Sequence, residues 1–412
     1  MEERGLNVPA ATPKAIPGTA NVSSEAQKVA RELMTNFSSA KEKRFELERV
    51  ISQGSVGVTF KMKMKDDSPE SPSKEARKAR DVRRFVMKRA LTQRSEKNLR
   101  QEVSVLRRFA AAMHISRPFL TTEGQEGNKV PYLQGPTLFT EWVDNGLLFD
   151  FIERVGDWDQ PLPNRILWRL FLCLCRMVVA MAWPPAGNEA TIETIPQAGA
   201  NGIRPAMSRL VHGDLNIRNI MINGMEPMEH DMVPILKLID FGDSRDLPAN
   251  ATQSPDIAVK TNIGYIGRVM LALVGGSHLG GNANMEVTDR GTTKTIKSFA
   301  RDLDGLNAAY YKALASIVAR HKVKLDNLDP DIRDLVALCT ALRPVDRPSI
   351  ENLVEDVERN VKDMKAADYA SYKFSQNETD QAVRRITREL MLEGQTTSSP
   401  APPSLGLARL TI

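Results

Sequence analysis

The pattern of apolar residues changes near Asn145, and this change constrains the fold more than any other feature of the chain. Before Asn145 the apolar residues alternate as in short strands, around one helical segment, whereas after it they recur at the spacing of long helices. The sequence therefore predicts an α+β protein in which a small β-rich part precedes a larger, mainly helical part. The predicted strands are Phe45–Ile51, Val58–Met64, Arg83–Ala90 and Leu138–Val143. The predicted helices are Ser95–Phe109, Leu147–Val155, Asn164–Trp183, Ile263–Val274, Phe299–His321, Asp331–Leu342 and Ile350–Met364.

Composition sets the boundaries of these parts. We expect residues 45–143 to form the β-rich part and residues 144–365 the helical part. Residues 1–44, rich in Pro, Ala and Ser, are expected to form a disordered or partly helical tail, with any helix around Ala26–Phe37. Residues 366–412 are expected to form a second tail whose short amphipathic helix, Thr379–Gly394, docks on its own chain. The expected inserted loops are Asp66–Arg80, Pro184–Ser208 and Ser277–Thr293, of which the last two are expected to be mobile.

The overall composition excludes several classes of protein. The chain has 412 residues, of which 42% are hydrophobic and 26% charged, as in ordinary soluble globular proteins. Its formal charge of +5 is too small to require a nucleic acid or a membrane surface as partner, so we expect neither. The most apolar stretch, Ile166–Trp183, contains Arg169 and Arg176, and is therefore predicted to be a buried helix and not a membrane span. No feature of the sequence indicates an oligomeric state.

Cysteine usage and the N-terminal residues indicate an intracellular protein. Cys173, Cys175 and Cys339 have no metal-ligand spacing, so free thiols in a reducing compartment are expected and a structural zinc is not. The segment Met1–Thr19 lacks the apolar core of a secretory signal. We expect a cytoplasmic location, or a nuclear one if the basic cluster Lys74–Arg84 acts as an import signal.

Two short polar segments that follow apolar runs give the strongest functional signal. The first, His212–Asn219, supplies a carboxylate at Asp214 and an amide oxygen five residues later. The second, Asp240-Phe241-Gly242, adds another carboxylate, followed by a glycine that permits a turn. This ordered set of oxygen-bearing side chains indicates a functional site.

Three features upstream are weak signals when each is taken alone. Gly54 and Gly57 lie between two predicted strands, which is typical of a tight hairpin, although such a loop can also lie over phosphates. Lys88 lies in an apolar strand, and Glu102 follows on the predicted helix. If that helix packs on the sheet, Glu102 can hold Lys88 against phosphate oxygens.

In their order along the chain, these motifs resemble those of the eukaryotic-type protein kinases, over roughly Phe45–Met364. Ser52-x-Gly54-x-x-Gly57 is similar to the glycine-rich loop of the family, His212–Asn219 to its catalytic loop, and the segment from Asp240 to its metal-binding motif. Leu342–Ser349 resembles a late motif that small-molecule kinases generally lack. The resemblance implies a bilobal protein-kinase-like fold, with a small β-rich N-lobe and a larger, mainly helical C-lobe.

The resemblance also implies a function and a role for each site residue. The function is Mg²⁺-dependent (or Mn²⁺-dependent) transfer of the ATP γ-phosphate to hydroxyls of an unidentified protein substrate, with Ser/Thr favoured. Asp214 is the implied proton acceptor, and Lys88, partnered by Glu102, is implied to neutralise the α- and β-phosphates. Asn219 and Asp240 are implied metal ligands, which suits hard oxygen donors. The remaining implied nucleotide-binding residues are Ser52, Gly54, Gly57, Thr140 at the gatekeeper position, Glu141 and Val143.

The chain departs from the family pattern between residues 213 and 262. Gly213 replaces the arginine that, in many members, pairs with a phosphorylated activation loop, so we expect activity without phosphorylation of Ser244, Thr252 or Ser254. The segment that follows Gly242 is short, with Asp256 expected to pair with Arg347. The next helix is expected to begin near Asn262, as its N-cap.

These departures leave two alternative functions open. The short activation segment and the altered glycine loop also fit a pseudokinase, an ATP-binding scaffold without catalytic activity. The triplet His212-Gly213-Asp214 is also used by small-molecule phosphotransferases of the aminoglycoside- and choline-kinase-like type.

Overall fold

A computed structural model describes residues 16–38, 45–54, 57–64, 83–121, 135–158, 160–248, 254, 256–275, 281–305 and 323–393. The chain divides into two compact units, the first comprising residues 1–100 and 119–142 and the second residues 101–118 and 143–412. The protein is of mixed α and β structure, as the sequence predicts, with one small, largely antiparallel sheet in its first unit.

A five-stranded sheet forms the centre of the first unit. Its strands lie in the order β1-β2-β3-β5-β4, and the pairs β1–β2, β2–β3 and β3–β5 are antiparallel. The bounds are β1 (Phe45–Gln53), β2 (Val58–Met64), β3 (Arg83–Arg89), β4 (Pro118–Thr121) and β5 (Thr137–Glu141). The predicted bounds of β2 are confirmed without change, because Val58, Phe60 and Met62 alternate toward the buried face with period two.

One helix covers the buried face of this sheet. The helix α1 (Ser24–Ser38) contains the predicted segment Ala26–Phe37, and it packs a stripe formed by Ala26, Ala30, Leu33 and Phe37 against the sheet. Phe37, Phe45, Phe85 and Phe139 form a series of ring contacts with centroids 5.6–5.7 Å apart. Each buried phenylalanine contributes roughly 1.5–3 kcal/mol. The helix α2 (Gln93–Leu106) begins in the first unit and ends in the second.

Long helices form most of the second unit. Its helices include α3 (Leu148–Asp157), α4 (Asn164–Ala182), α5 (Ile257–Gly275), α6 (Pro330–Cys339), α7 (Ile350–Asp363) and α8 (Asp380–Thr387). The helix α4 is buried along its whole length except at Arg169, with α5 and α7 packed against it. It is therefore the core helix that the sequence predicts. Of the described helices, only α5 is long and apolar enough to cross a membrane, and 61% of its most apolar window is buried inside the protein.

Two short ladders hold the polar segments of the second unit. The strand β6 (Leu210–Val211) pairs with β9 (Arg245–Asp246), and β7 (Ile220–Ile222) pairs with β8 (Leu236–Leu238). Both pairs are antiparallel. Residues 212–219 thus run between β6 and β7, and residues 239–244 between β8 and β9.

The expectation of an inserted loop at Ser277–Thr293 is wrong over the described residues. Residues 283–298 form a β-hairpin in which β10 (Ala283–Asp289) pairs in full register with β11 (Thr292–Ser298). Arg290 and Gly291 have φ of 50° and 82° and form the two-residue turn that such a hairpin favours. Met285, Val287 and Ile296 are buried on one face, but the many polar residues around them hid this alternation in the sequence.

The segment Pro184–Ser208 lacks regular structure but is tied to the rest of its unit. Thr191 forms a bridge with Ala112, and the Glu193 side chain is only 2% exposed.

Of the predicted helix Phe299–His321, the structure shows a 3₁₀ turn at Arg301–Asp304, while residues 306–322 lie outside the described residues. The predicted loop Asp66–Arg80 also lies outside them.

The C-terminal segment docks on the second unit, as predicted. Thr379 caps α8, accepting a hydrogen bond from the Ala382 amide at 3.2 Å. Just before the cap, the fully buried carboxylate of Glu378 accepts the first backbone amides of α4, from Asn164 at 2.7 Å and Arg165 at 3.1 Å. A glutamate of the C-terminal segment thus satisfies the N-terminus of the core helix.

Candidate functional site

The ladder of β7 with β8 brings the two polar segments together. Asn219 directly precedes β7 and Ile239 directly follows β8, and the Ile239 amide donates to the Asn219 carbonyl at 2.9 Å. Asp240 therefore follows a residue that is hydrogen-bonded to Asn219. The predicted metal ligands Asn219 and Asp240 thus lie at the same end of one hairpin.

Two asparagines hold the carboxylate of Asp214. Asn219 Nδ2 donates to Asp214 Oδ2 at 2.7 Å, and Asn216 Nδ2 donates to Asp214 Oδ1 at 2.9 Å. Both amides also donate to the Asp214 carbonyl, at 2.8 and 3.0 Å. With its nitrogen used in this way, Asn219 has its amide oxygen available as a ligand. Asp214 is exposed, so its carboxylate is accessible from solvent.

Opposing effects act on the pKa of Asp214. Partial desolvation raises it, the hydrogen bonds from Asn219 and Asn216 lower it, and the nearby carboxylates of Asp243 and Asp240 raise it again. The result is a pKa above the ordinary value for an aspartate. A carboxylate with a raised pKa is a better proton acceptor than an ordinary one.

Asp240 is held in an unusual backbone conformation. Its φ is 60°, in the left-handed region, and the Gly242 amide donates to its Oδ1 at 3.3 Å. The next residue, Phe241, is fully buried, with its ring 4.6 Å from His212 and 5.3 Å from Phe109. This anchor keeps Asp240 at the surface, where its carboxylate is exposed.

His212 supports the loop and carries no charge at neutral pH. Its Nδ1 accepts the Asp214 amide at 3.2 Å, so Nε2 is the protonated nitrogen and donates to the Ile239 carbonyl, also at 3.2 Å. The ring is fully buried, and burial lowers its pKa to about 4. His212 therefore connects the Asp214 segment to the strand end that precedes Asp240.

Close packing explains the glycine at position 213. Its φ is 85°, and a Cβ there would lie 2.3 Å from the Asp243 carbonyl oxygen. The chain thus has no room at this position for the arginine found in many protein kinases. A side chain would have to displace the backbone of the segment that carries Asp240.

The expected N-cap role of Asn262 is wrong, because α5 begins at Ile257 and Asn262 lies inside it. Its buried side chain accepts the His212 amide at 3.2 Å and donates to the Leu210 carbonyl at 2.9 Å. The earlier start follows from the helical periodicity of 257–261, which the sequence analysis assigned to the preceding loop. Asn262 therefore positions the Asp214 loop from the core.

The structure also gives Arg347 partners other than the expected Asp256. Its guanidinium donates to the carbonyls of Ala341 at 2.9 Å and Lys260 at 2.8 Å. Asp256 lies 3.8 Å from the Lys260 ammonium, one helical turn away, and accepts a hydrogen bond from Ser254. The five N–H donors of a guanidinium can be satisfied by backbone carbonyls as well as by a carboxylate, and Arg347 uses carbonyls.

The remaining predicted site residues divide between the two units. Ser52, Gly54, Gly57, Lys88, Thr140 and Glu141 lie in the first unit. The Gly54 amide donates to the Gly57 carbonyl at 2.9 Å, and a Cβ on Gly57 would lie 1.9 Å from the Arg89 carbonyl oxygen, so position 57 has no room for a side chain. Lys88 lies opposite Thr59 and Leu138 in the sheet. Glu102, which is buried in α2, and Val143 belong to the second unit.

Two residues of the site were missing from the sequence analysis. Asn216 holds Asp214, and Asp243 acts on its pKa. Their short separation from Asp214 and Asp240 was the available signal, since side chains two or three residues from a turn commonly bond back to it.

No protein-family model matches the chain, and no curated protein matches it either. The functional conclusion therefore depends on the chemistry of the residues themselves. The exposed carboxylate of Asp240 and the amide oxygen of Asn219 are two hard-oxygen donors beside Asp214, a carboxylate with a raised pKa, and such donors fit Mg²⁺.

Proposed function

We propose that this chain is a protein kinase that transfers the γ-phosphate of ATP to protein hydroxyls, with Ser/Thr favoured, and that it needs Mg²⁺ or Mn²⁺. One observation carries the proposal, namely the arrangement of Asp214, Asn219 and Asp240 around the ladder of β7 with β8. Phosphoryl transfer needs mainly positioned charges, and this arrangement supplies a proton acceptor next to cation ligands.

In this proposal Asn219 and Asp240 hold the cation through oxygen atoms. When bound, the Mg²⁺–ATP complex supplies the phosphoryl group and the cation that offsets its charge. Lys88 binds the phosphates with Glu102 as its partner, and Ser52, Gly54 and Gly57 cover them. Thr140, Glu141 and Val143 contact the adenine. These roles follow from the sequence resemblance, and the tight turn at Gly57 agrees with them.

Asp214 orients the attacking hydroxyl and accepts its proton. Asn216 and Asn219 fix the two carboxylate oxygens, so the acceptor keeps one geometry. The raised pKa of Asp214 favours proton acceptance. His212 stays neutral near pH 7 and holds the loop without adding a positive charge that would compete for the carboxylate.

The test measures phosphate transfer from radiolabelled ATP to a panel of proteins, for the wild type and two variants. Asp214→Asn should lower the rate at least about 100-fold, because it removes the proton acceptor while keeping the shape. Asp240→Asn should lose activity and recover part of it at high Mg²⁺, because it weakens a cation ligand. Asp157→Asn, at the exposed end of α3, is the matched control and should retain full activity.

Two outcomes would reject the proposal in different ways. No transfer by the wild type, with ATP still bound in a binding assay, would indicate a pseudokinase scaffold. Transfer that Asp214→Asn leaves unchanged would place the chemistry elsewhere in the chain.

A small-molecule phosphotransferase is the second candidate, because the triplet His212-Gly213-Asp214 is also used by that class. The close packing at Gly213 favours it, since a Cβ there would lie 2.3 Å from the Asp243 carbonyl oxygen and the position cannot hold the arginine of many protein kinases. The assay should therefore include amino alcohols and aminoglycosides. Faster Asp214-dependent transfer to one of them than to any protein would select this candidate.

A further inference from the structure

Three buried side chains with metal-ligating atoms meet in the second unit, and the proposed reaction uses none of them. His114, Cys173 and His230 are at most 2% exposed, and their ligating atoms lie within 4.8 Å of one another. His114 precedes β4, Cys173 lies in the middle of α4, and His230 lies in the loop between β7 and β8. The three residues come from distant parts of the chain, so no spacing motif could reveal them.

The distances between donor atoms are close to those that a tetrahedral ion requires. His114 Nε2 and His230 Nε2 are 3.1 Å apart. Zn–N bonds of 2.0–2.1 Å at a tetrahedral angle place two nitrogens about 3.3 Å apart. Cys173 Sγ lies 3.7 Å from the other ring nitrogen of His230, Nδ1, and the ligating atoms of the three residues lie within 4.8 Å of one another, so a side-chain rotation has to bring the sulfur and the two nitrogens onto one ion.

A carboxylate orients His114 as it does in many metal sites. Glu193 Oε2 is 2.6 Å from His114 Nδ1, and Glu193 Oε1 accepts the His114 backbone amide at 2.8 Å. Glu193 is itself 2% exposed, and its carbonyl accepts a hydrogen bond from Arg176 at 2.9 Å. A carboxylate on the outer nitrogen of a histidine fixes the ring and increases the basicity of the inner nitrogen, which here faces the cluster.

The charges around the cluster favour a cation. Glu193 and Glu229 bring two carboxylates to the cluster, whereas Arg176 brings one guanidinium, bound to Glu229 at 2.5 Å and to the more exposed Glu358 at 2.8 Å. Glu229 Oε2 also lies 3.7 Å from His230 Nε2, near enough to act as a ligand. Buried negative charge in excess of positive charge is stabilised by a bound cation.

We propose that His114, His230 and Cys173 bind one structural Zn²⁺ ion, with the Glu229 carboxylate as the fourth ligand. Imidazole and thiolate ligands in a closed, buried site suit zinc better than Mg²⁺ or Ca²⁺. On binding, the Cys173 thiol loses its proton to solvent and becomes a thiolate. Compared with the free site, the bound site therefore has one additional negative charge, on sulfur, and the two positive charges of the ion.

The ion would join three elements of the second unit, one of which, the β7–β8 hairpin, carries part of the candidate active site. It would tie α4 to the segment before β4 and to the loop of the β7–β8 hairpin, whose other end holds Asn219 and Asp240. Its role is therefore structural, and its presence does not depend on whether the chain is a kinase.

The first experiment measures the metal content of the full chain, purified without an affinity tag and dialysed against a weak chelator. We expect about one zinc per chain. Cys173→Ser and His230→Gln should each lower the zinc affinity by more than the roughly 10–100-fold that loss of an outer-shell partner costs, and so lower the zinc content after dialysis. Cys175→Ser is the matched control, because Cys175 is equally buried on the same helix and lies outside the cluster, and it should keep its zinc. Asp240→Asn should also keep it, which separates this site from the proposed Mg²⁺ site.

A second measurement avoids the risk that a variant fails to fold. Wild-type chain loaded with Co²⁺ should show thiolate-to-cobalt charge transfer in the near ultraviolet and the visible bands of tetrahedral cobalt. Cys175→Ser should show the same spectrum. Wild type without stoichiometric zinc and without the charge-transfer band would overturn the proposal. The cluster would then be a hydrogen-bonded series from Glu193 through both histidines to the Cys173 thiol.

Discussion

At the scale of single residues, the proton-accepting capacity of Asp214 depends on two amides. Asn219 and Asn216 donate to its carboxylate at 2.7 and 2.9 Å and lower its pKa, whereas desolvation, Asp243 and Asp240 raise it. The pKa is raised overall, so replacement of either asparagine would raise it further. The two amides therefore oppose the rise in the pKa of Asp214 that desolvation and the neighbouring carboxylates cause.

Gly213→Ala tests the packing of the Asp214 loop. The left-handed φ costs an alanine about 1–2 kcal/mol, and the Cβ would also lie 2.3 Å from the Asp243 carbonyl oxygen. Gly202→Ala is the control, because Gly202 has a φ of 73° with no atom within 4 Å of the added Cβ. Urea unfolding should show a larger loss of unfolding free energy for Gly213→Ala than for Gly202→Ala. Equal losses would show that the close contact has no energetic effect.

His212 gives the stability of the protein a defined pH dependence. Its pKa is 6.5 in the unfolded chain and about 4 in the folded one, because burial disfavours the charged ring. As the pH falls, the unfolded state takes up the proton first, so the contribution of His212 is complete above about pH 6.5 and is lost progressively toward about pH 4. The loss should reach roughly 2 kcal/mol at about pH 5.

Urea unfolding at several pH values measures this effect. The unfolding free energy of wild type should fall more steeply between about pH 7 and pH 5 than that of His212→Asn, which keeps a side-chain acceptor without the titration. Parallel pH profiles for the two proteins would contradict the assignment to His212.

At the scale of elements, the N-terminus of α4 depends on the C-terminal segment. Both Glu378 oxygens accept amides from the first turn of this helix, and Arg165 bonds back to the Glu378 carbonyl at 2.6 Å and to Asp380 at 2.7 Å. A helix end buried without such partners would leave its amides unsatisfied. The segment around Glu378 is thus part of the core of the second unit.

Glu378→Ala should lower the unfolding free energy by roughly 2–4 kcal/mol, because it leaves two buried amides without an acceptor. Urea unfolding measures the change. Glu389→Ala is the control, since Glu389 is exposed and pairs only with Arg385 one turn away, and its loss should stay below about 0.5 kcal/mol. Similar losses for both variants would show that the docked segment adds little to stability.

The elements also show what sequence reasoning can and cannot reach. The bounds of β2 and the burial of α4 were predictable, because each follows from apolar periodicity within one segment. The hairpin β10–β11 was missed because few of its residues are apolar, and its turn residues, Arg290 and Gly291, look like an ordinary loop. In the site, Asp214, Asn219 and Asp240 were predictable from their order, whereas the inward role of Asn262 depends on where α5 begins.

At the scale of the whole molecule, one hairpin connects both proposals. The β7–β8 hairpin has Asn219 and Asp240 at its open end and His230 in its loop, and Leu238 of β8 bridges to Ile115, next to His114. Loss of zinc should therefore increase the mobility of the β7–β8 hairpin, and with it that of Asn219 and Asp240, because the ion holds the loop of this hairpin through His230. Hydrogen exchange at the amides of 219–239 would detect such loosening.

If the chain is the proposed kinase, it should transfer phosphate without phosphorylation of Ser244, Thr252 or Ser254. Gly213 provides no arginine to receive a phosphate, and Ser244 is only 2% exposed, with its hydroxyl bound to the Phe241 carbonyl at 2.6 Å. The test removes phosphate with a phosphatase and verifies complete dephosphorylation by intact mass. The treated protein should transfer phosphate as fast as a sample incubated with inactivated phosphatase. The Thr252→Ala/Ser254→Ala variant should match wild type. A loss of transfer that rephosphorylation restores would contradict this prediction.

The Glu378 cap has a consequence for biosynthesis. Glu378 follows Asn164 by 214 residues, so at the usual speed of translation, about 5–20 residues per second, α4 leaves the ribosome roughly 10–40 s before its cap is made. During that time one of the most apolar helices of the protein has an incomplete N-terminus and an uncovered surface. A chain that ended before Glu378 would never complete this N-terminus, and the amides of Asn164 and Arg165 would lack these acceptors.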